Sequence, residues 1–527
     1  MQIIIPMSGI GKRFQDAGYL DPKPLIQVDG RPIIHHVIDL FPGESRFHFI
    51  CNDEHIQNTN MRDILLKKIP SADIHEVSVK SRKGPVDAVL QIQQSISDSE
   101  ECIVSYCDYG TVWNYSRFLE DMRSVKADGG IASYIGFHPH MLGSDNYAFM
   151  KHENMWVTDI QEKQPFTQNK MNEYASNGTY YFRSGNLMKK YFQELVNRRM
   201  DLKGEYYVSL VYKLMCQDSL RIRIFEIEKM LQWGTPKDLE EYKTWSDFFR
   251  KRIEKPLLHY SYPSVTTILP MAGAGSRFQM VGYEQPKPLL PVHGNPMFIE
   301  AVNSLPKSEK IVFVCQKSHL NIYPIEQIVK DTWSGLTIPI DYVTDGQACT
   351  CEIAINEAKI PLENPILISA CDNGVYYDVV KYNNLVNNKE IDVIVWAFTN
   401  NPTGQLYPHM YAWLDVDKEG RIHEVSIKKP FTNKPNTHAI IGTMFFRKGS
   451  LFMEGLQDIY RDNIRTNNEF YVDNVLQPLI KKGYRVQVFE VDYYLCWGTP
   501  NDYKTYLYWD EHFTKNAKLC FPRNENA

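Results

Sequence analysis

Near the start of the 527-residue chain, PMSGIGKRFQDAGYLDPKPL places Gly9 and Gly11 ahead of Arg13, with Lys23 ten positions further on. Each residue type has a distinct use toward a polyanion. Glycines without Cβ atoms let backbone N–H groups come close to a ligand, and such groups at the end of a strand make an anion cradle. The Arg13 guanidinium is a permanent positive fork matched to phosphate oxygens. Lys23 stands between Pro22 and Pro24, so its ammonium is carried on a stiff stalk. The pattern is not a dinucleotide fingerprint, because Phe14 occupies the position of the third glycine. It is not a P-loop either, since GxxxxGK[ST] is absent.

The same sentence is written twice. Between the 32-residue stretches that begin at Ile3 and Thr267, 17 positions are identical without a gap, so Gly273, Gly275, Arg277 and Lys287 repeat the cradle 264 residues later. The register persists: IVSYCDYG meets LISACDNG, placing Asp108 on Asp372, and QWGTPKD meets CWGTPND. A period this long is a duplicated domain and not a solenoid unit. The expected boundaries are a first domain over 1–250, a linker over 251–263, a second domain over 264–515 and a tail over 516–527.

The cradle must be positioned by regular elements. Gln2–Pro6 reads as a strand, RPIIHHVIDLF as a helix, RFHFIC as a second strand, DAVLQIQQSI as a helix and ECIVSYCD as a third strand, and the second copy repeats the series. Continuous apolar strands alternating with helices predict a parallel, doubly wound α/β sheet in each copy. IASYIGF and TYYFRSG read as added strands of a mixed region. Asp108 and Asp372 follow the third strand, at the carboxyl edge where open α/β sheets bind ligands. A carboxylate there suits Mg²⁺, which takes one or two protein carboxylates together with substrate phosphates.

GIGKRFQDAGYLDPKPL and GAGSRFQMVGYEQPKPL resemble the signature of the sugar-phosphate nucleotidyltransferases, the nucleoside-diphosphate-sugar pyrophosphorylases: GxGxR, a spacer, then PK with Pro/Leu. The GYxxPKPL form resembles a subgroup associated with capsule and surface-polysaccharide synthesis. The resemblance implies two tandem Rossmann-like domains, each with a mainly parallel sheet flanked by helices. It implies that the glycine loops, Arg13 and Arg277 hold a triphosphate, that Lys23 and Lys287 act at the reacting phosphates, and that Asp108 and Asp372 bind Mg²⁺. A second metal aspartate is expected before the late Gly-Thr, where this chain has Gln232 and Cys496. Glu228 and Asp492, or Glu226 and Glu490, are the nearby substitutes. Acceptor contacts implied by the family fall on Lys163, Gly178 and Glu205 in the first copy. In the second they fall on Lys428 (or its neighbour Lys429), Gly442 and Glu469. The nucleotide-base loop is expected at Gly84, with Gln347, Ala348 and Thr350 as its counterpart. His138 and His140 have HxH spacing, read as stacking or hydrogen-bonding groups in preference to zinc ligands.

Composition narrows the remaining classes. A net charge of -5 gives no general attraction to nucleic acid or anionic membrane. The opening apolar run is too short for a signal peptide, and no apolar stretch approaches the length of a membrane helix. Ten cysteines without a CxxC pair fit reduced thiols in a cytoplasm. The expectation is a cytoplasmic bifunctional enzyme that uses Mg²⁺ to transfer a nucleoside monophosphate from a triphosphate to a phosphorylated sugar, releasing pyrophosphate, for capsule or surface-polysaccharide precursors. The alternatives are a cytidylyltransferase for a phospho-alcohol and a non-catalytic nucleotide-sugar-binding regulator.

Overall fold

The computed structural model describes residues 1–78, 83–255, 261–399, 401, 404, 407–432, 434 and 437–515. The chain forms two compact units, Met1–Ser246 and a second beginning at Asp247. The division falls inside the helix Pro236–Glu254. The charged stretch expected to open a linker at 251 therefore continues this helix, with Lys251 and Arg252 in its last turn, where cations favour the helix dipole. The next strand starts at Ser261, inside the expected linker. The expected tail, 516–527, lies outside the described residues.

In the first unit a nine-stranded sheet runs Asp73–Val77, Phe47–Asn52, Gln2–Met7, Cys102–Ser105, Tyr174–Phe182, Gly129–Tyr134, Ile222–Glu226, Trp156–Glu162, Ala148–Glu153. The first four strands are mutually parallel. Tyr174–Phe182 is antiparallel to both of its neighbours, which begins the mixed half. The parallel half explains the unbroken apolar runs. Ile3, Ile4 and Ile5 are all fully buried because helices cover both faces. On one face Ile4, Ile50 and Val104 pack against Val86, Val89 and Val211.

The carboxyl ends of these parallel strands carry the chemistry. Met7 leads into the glycine loop, Val77 into the segment before Gly84, and Ser105 into Asp108. A small hairpin sheet closes the arrangement by pairing Tyr109–Val112 with Lys229–Gln232. Trp233 donates its backbone N–H to the Asp108 carbonyl at 3.2 Å. Its ring lies so close over Gly110 that a Cβ there would sit 2.7 Å from it. This packing joins "DYG" to "WGTP", motifs 125 residues apart in the chain.

The second unit repeats the plan. Leu336–Ile340, Lys307–Gln316, Ser261–Met271 and Ile366–Ile368 are parallel, followed by Thr437–Phe446, Val393–Phe398 and Val486–Glu490. Asn373–Tyr376 pairs with Tyr493–Cys496, and Trp497 donates to the Asp372 carbonyl at 2.9 Å.

Candidate active site

In the first unit two adjoining cavities, of about 240 and 460 Å³, share Gly11, Lys23, Tyr106, Asp108, Glu205 and Tyr207 in their walls. The smaller adds Gly9, Val77, Gly84 and Pro85. The larger adds Arg13, Tyr147, Glu162, Lys163, Asn177, Gly178 and Gln232. All the residues singled out near the glycine loop, the central aspartate, the acceptor segment and the base loop of the first copy therefore meet around one partition.

That partition is an ion pair. The Lys23 ammonium donates to Asp108 Oδ2, and its second contact is the Gly234 carbonyl at 3.3 Å. Lys23 is placed by the short 3₁₀ turn Lys23–Leu25, which Pro22 and Pro24 preset. Asp108 is placed by the hairpin, and Gly234 leaves room for it, since a Cβ there would lie 3.1 Å from Asp108 Oδ2. Cys107 beside it is no competing anion, because burial pushes its thiol up to about 12.

The glycine loop ends with Gly11 at φ 68, capping the five-residue helix Lys12–Asp16. So short a helix offers little macrodipole, and its cradle is the run of loop amides. A Cβ at Gly9 would meet no protein atom within 4 Å, so the space above that glycine is open. Gly84 has a different reason. It sits at φ 96, and a Cβ there would lie 2.7 Å from the Tyr206 nitrogen. Tyr206 N–H donates to the Lys83 carbonyl at 2.7 Å and Val86 N–H to the Tyr206 carbonyl at 3.2 Å. The base-side loop and the Glu205 segment are thus clamped backbone to backbone. Lys163 reaches across the larger cavity to donate to Tyr207 Oη at 2.6 Å, and Tyr207 in turn donates to Glu205.

The described cysteines form no disulfide. His138 and His140 lie buried among Tyr134 and Tyr147, and His140 Nε2 is 3.0 Å from Tyr134 Oη. Burial lowers both rings, His138 to about 4, so they are neutral parts of an aromatic wall. That wall ends at Tyr147, whose hydroxyl accepts from Gln232 Nε2 at 3.2 Å.

Residues 2–225 match the family model described as nucleotidyl transferase. That match covers most of the first unit and less than half of the chain, and it supports an enzyme of the nucleotidyltransferase type. Similar solved structures include a nucleoside-diphosphate-sugar pyrophosphorylase from Vibrio cholerae, at 18% identity and TM-score 0.38, covering 46% of this chain and 99% of that one. An inositol-1-phosphate CTP transferase from T. maritima gives 16% and 0.36, with 47% and 96% covered. A UDP-glucose pyrophosphorylase from Acinetobacter baumanii gives 17% and 0.37, with 48% and 94% covered.

The second unit rebuilds the same pair. Lys287 Nζ is 2.6 Å from Asp372 Oδ2. Burial pulls the Lys287 ammonium down, but the Asp372 carboxylate more than restores it, and the net shift is upward. Gly273 again faces open space, and Gly275 caps Ser276–Met280 at φ 65. Arg277 lies within electrostatic reach of Lys428, as Arg13 does of Tyr207.

Two expectations change in detail, and one open choice is resolved. The counterpart of Gly84 is Gly346 and not Gln347 or Ala348. Gly346 has φ 132, and a Cβ there would lie 2.6 Å from the Phe470 nitrogen, the same clamp as in the first unit. Ala348 takes the place of Val86, with its side chain in the core and its N–H on the Phe470 carbonyl at 3.0 Å. Thr350 is likewise buried, 2.7 Å from the Thr344 hydroxyl. Next, Lys428 and not Lys429 matches Lys163. Both take positive φ, and both donate N–H to the matched Tyr147 or Tyr411 carbonyl. Gly442 keeps the backbone turn of Gly178, and Glu469 precedes the Phe470 clamp.

Finally, neither Glu228 nor Asp492 stands beside the central aspartate. Lys229 pairs with Val112 and Gln232 with Tyr109, so Glu228 is at the far end of the hairpin, roughly 13 Å along the strand from Gln232. Asp492 precedes Tyr493, which pairs with Tyr376 in the same way, and it lines a separate cavity with Glu490. Glu226 accepts from Tyr174 Oη at 2.5 Å. The carboxylates that do feel the site are Asp238 and Asp502 of the WGTPxD motif, each accepting from its own Thr235 or Thr499. Burial raises both; the charges of Arg13 and Lys23 oppose this at Asp238, while Asp372 adds to it at Asp502. In the sequence they read as helix-start residues, a role they also fill.

Proposed function

We propose that each half transfers a nucleoside monophosphate from a nucleoside triphosphate to a phosphorylated sugar and releases pyrophosphate, in the cytoplasm, for capsule or surface-polysaccharide precursors. The observation that carries this reading is the Lys–Asp pair flanked by a glycine loop with open space above it, built twice in one chain. No described helix is long and apolar enough to cross a membrane.

The site needs no proton shuttle. A phosphate monoester is already an anionic nucleophile at neutral pH, so one of its oxygens attacks the α-phosphorus while the bond to the pyrophosphate oxygen breaks in line. The work left to the protein is positioning and charge neutralisation. Loop amides around Gly9 and Gly11 receive the triphosphate. Arg13 and Lys23 stand where negative charge builds on the departing pyrophosphate. Lys163, held by Tyr207 and Glu205, faces the acceptor phosphate.

A divalent ion fits the donor set. Asp108 and Asp372 present hard anionic oxygens into ligand space, and the neighbouring Cys107 and Cys371 thiols stay protonated. These aspartates would hold Mg²⁺, whose chemistry here is to neutralise and orient phosphate oxygens. The same carboxylates accept from the Lys23 and Lys287 ammonium groups.

The test is pyrophosphate release and product mass by the full chain, fed a panel of triphosphates and phosphorylated sugars with Mg²⁺. Release with a defined sugar–nucleotide mass supports the reading. A phospho-alcohol product redirects it to a different acceptor class. No release with any pair, from protein with intact secondary structure, removes it.

A further inference from the structure

We propose that the first unit carries a transition-metal site, formed by His48, Asp73 and His75, that binds a zinc-class ion and is distinct from the catalytic carboxylate. The three residues lie on the two outermost parallel strands. His48 pairs with Asp73, and His75 is two residues further along the edge strand, so all three side chains leave the same face. His48 Nδ1 is 3.3 Å from His75 Nε2 and 3.4 Å from Asp73 Oδ2. All three donor atoms lie within 4.8 Å of one another. A four-coordinate zinc ion, with bonds of about 2.0–2.2 Å, needs its donors roughly 3.3–3.6 Å apart. Two imidazoles and one carboxylate are a borderline donor set, suited to Zn²⁺ and poorly matched to Mg²⁺.

Two further observations point to a ligand. First, His48 is fully buried, and its Nδ1 faces both the carboxylate and the second imidazole. A single ring proton on Nδ1 cannot serve both neighbours, whereas one cation satisfies all three donors. Second, the duplicated unit shows what the fold needs here without a ligand. Its matching strands pair Val312 with Leu336 and Val314 with Ile338, so the positions of His48, Asp73 and His75 hold Val312, Leu336 and Ile338. The trio is replaced as a set by aliphatic residues, on a strand face that is otherwise apolar in both units. The scaffold itself does not call for imidazoles.

The ion would act as a staple. It ties the edge strand Asp73–Val77 to its neighbour, and that strand runs directly into Val77 and Ser78 of the smaller cavity wall. Asp73 is exposed, which leaves a path for the ion and room for water as the fourth ligand.

The test uses the full chain, stripped with a chelator and titrated with ZnCl₂ in excess Mg²⁺, with bound metal counted by elemental analysis. The wild-type chain is expected to hold one more zinc than His75→Gln or Asp73→Asn. Zinc should raise the melting temperature of the wild type and leave both variants unmoved. Both substitutions lie at the accessible end of the site, so they spare the buried His48. Loss of a direct ligand should weaken binding by more than the roughly 10–100-fold typical of an outer-shell partner. Co²⁺ gives an independent reading, as the wild type alone should show the intense visible bands of a four-coordinate ion. Equal zinc stoichiometry in all three proteins, or a Co²⁺ spectrum unchanged in the variants, would overturn the proposal and leave the trio a metal-free hydrogen-bond cluster.

Discussion

Lys23 and Lys287 sit where a cation has most effect, each against one aspartate and the open floor of a glycine loop. Loss of one well-placed donor to developing phosphate charge costs on the order of 10²–10³ in kcat. Lys23→Ala and Lys287→Ala are each expected to show a loss of that size in one product only, read by product-resolved mass spectrometry. A second residue differs between the units and titrates near neutrality. Asp473, the counterpart of Ser209, is pushed up to about 6 by burial, partly opposed by Lys428. Its protonated form is favoured in the folded state. The stability it lends is therefore complete below the unfolded aspartate value near 4 and lost as pH rises through about 6. Asp473→Asn keeps the neutral form at all pH. It should match the wild type at pH 4 and melt higher at pH 8, a difference of at most about 3 kcal/mol.

The backbone clamp between Gly84 and Tyr206, and between Gly346 and Phe470, fixes the loops of each unit to the turn segment that carries Glu205 or Glu469. A methyl group at either glycine meets main-chain atoms that cannot give way, in a backbone region costly to any L side chain. Gly84→Ala and Gly346→Ala should each destabilise by about 1–3 kcal/mol. Each should also raise KM for the triphosphate in one half-reaction more than it lowers kcat, because the clamp positions a binding wall and not the reacting atoms. Gly346 also marks a limit of the sequence. The ungapped repeat makes the catalytic loops, Asp108 and Asp372 legible, because their elements keep equal length. Gly84 and Gly346 are 262 residues apart instead of 264, since the loops before them differ in length, and the fixed offset slides onto Gln347 and Ala348. The parallel half of each sheet is legible from its apolar runs. The mixed half is less so, because strands such as Ala148–Glu153 are buried on part of their length only. Asp238 and Asp502 read as ordinary helix-start residues, and their nearness to the site depends on a two-stranded pairing of residues 117 to 123 positions apart.

Two units that keep one glycine-loop and Lys–Asp arrangement need not share an acceptor. The cradle and the Lys–Asp pair are the same in both, but the walls around them are not. In the first unit Ser209 Oγ donates to Glu162 at 2.6 Å and Lys163 is anchored on Tyr207. In the second, Asp473 replaces the serine and Lys428 turns to the Met410 carbonyl. A half-buried carboxylate within electrostatic reach of Lys428, where its twin has a hydroxyl, changes the charge beside that lysine, and mismatched polar groups discriminate strongly. The expectation is two products of different mass from the full chain supplied with mixed triphosphates and acceptors. Asp108→Asn should remove one product and Asp372→Asn the other, each leaving its partner product at the wild-type rate. If the halves acted on one acceptor, each substitution would instead lower a single product to the rate of the remaining half. Loss against partial decline is a difference in kind, and it does not depend on knowing which acceptor is right. The same measurement therefore decides whether the duplication gave this chain two activities or twice as much of one.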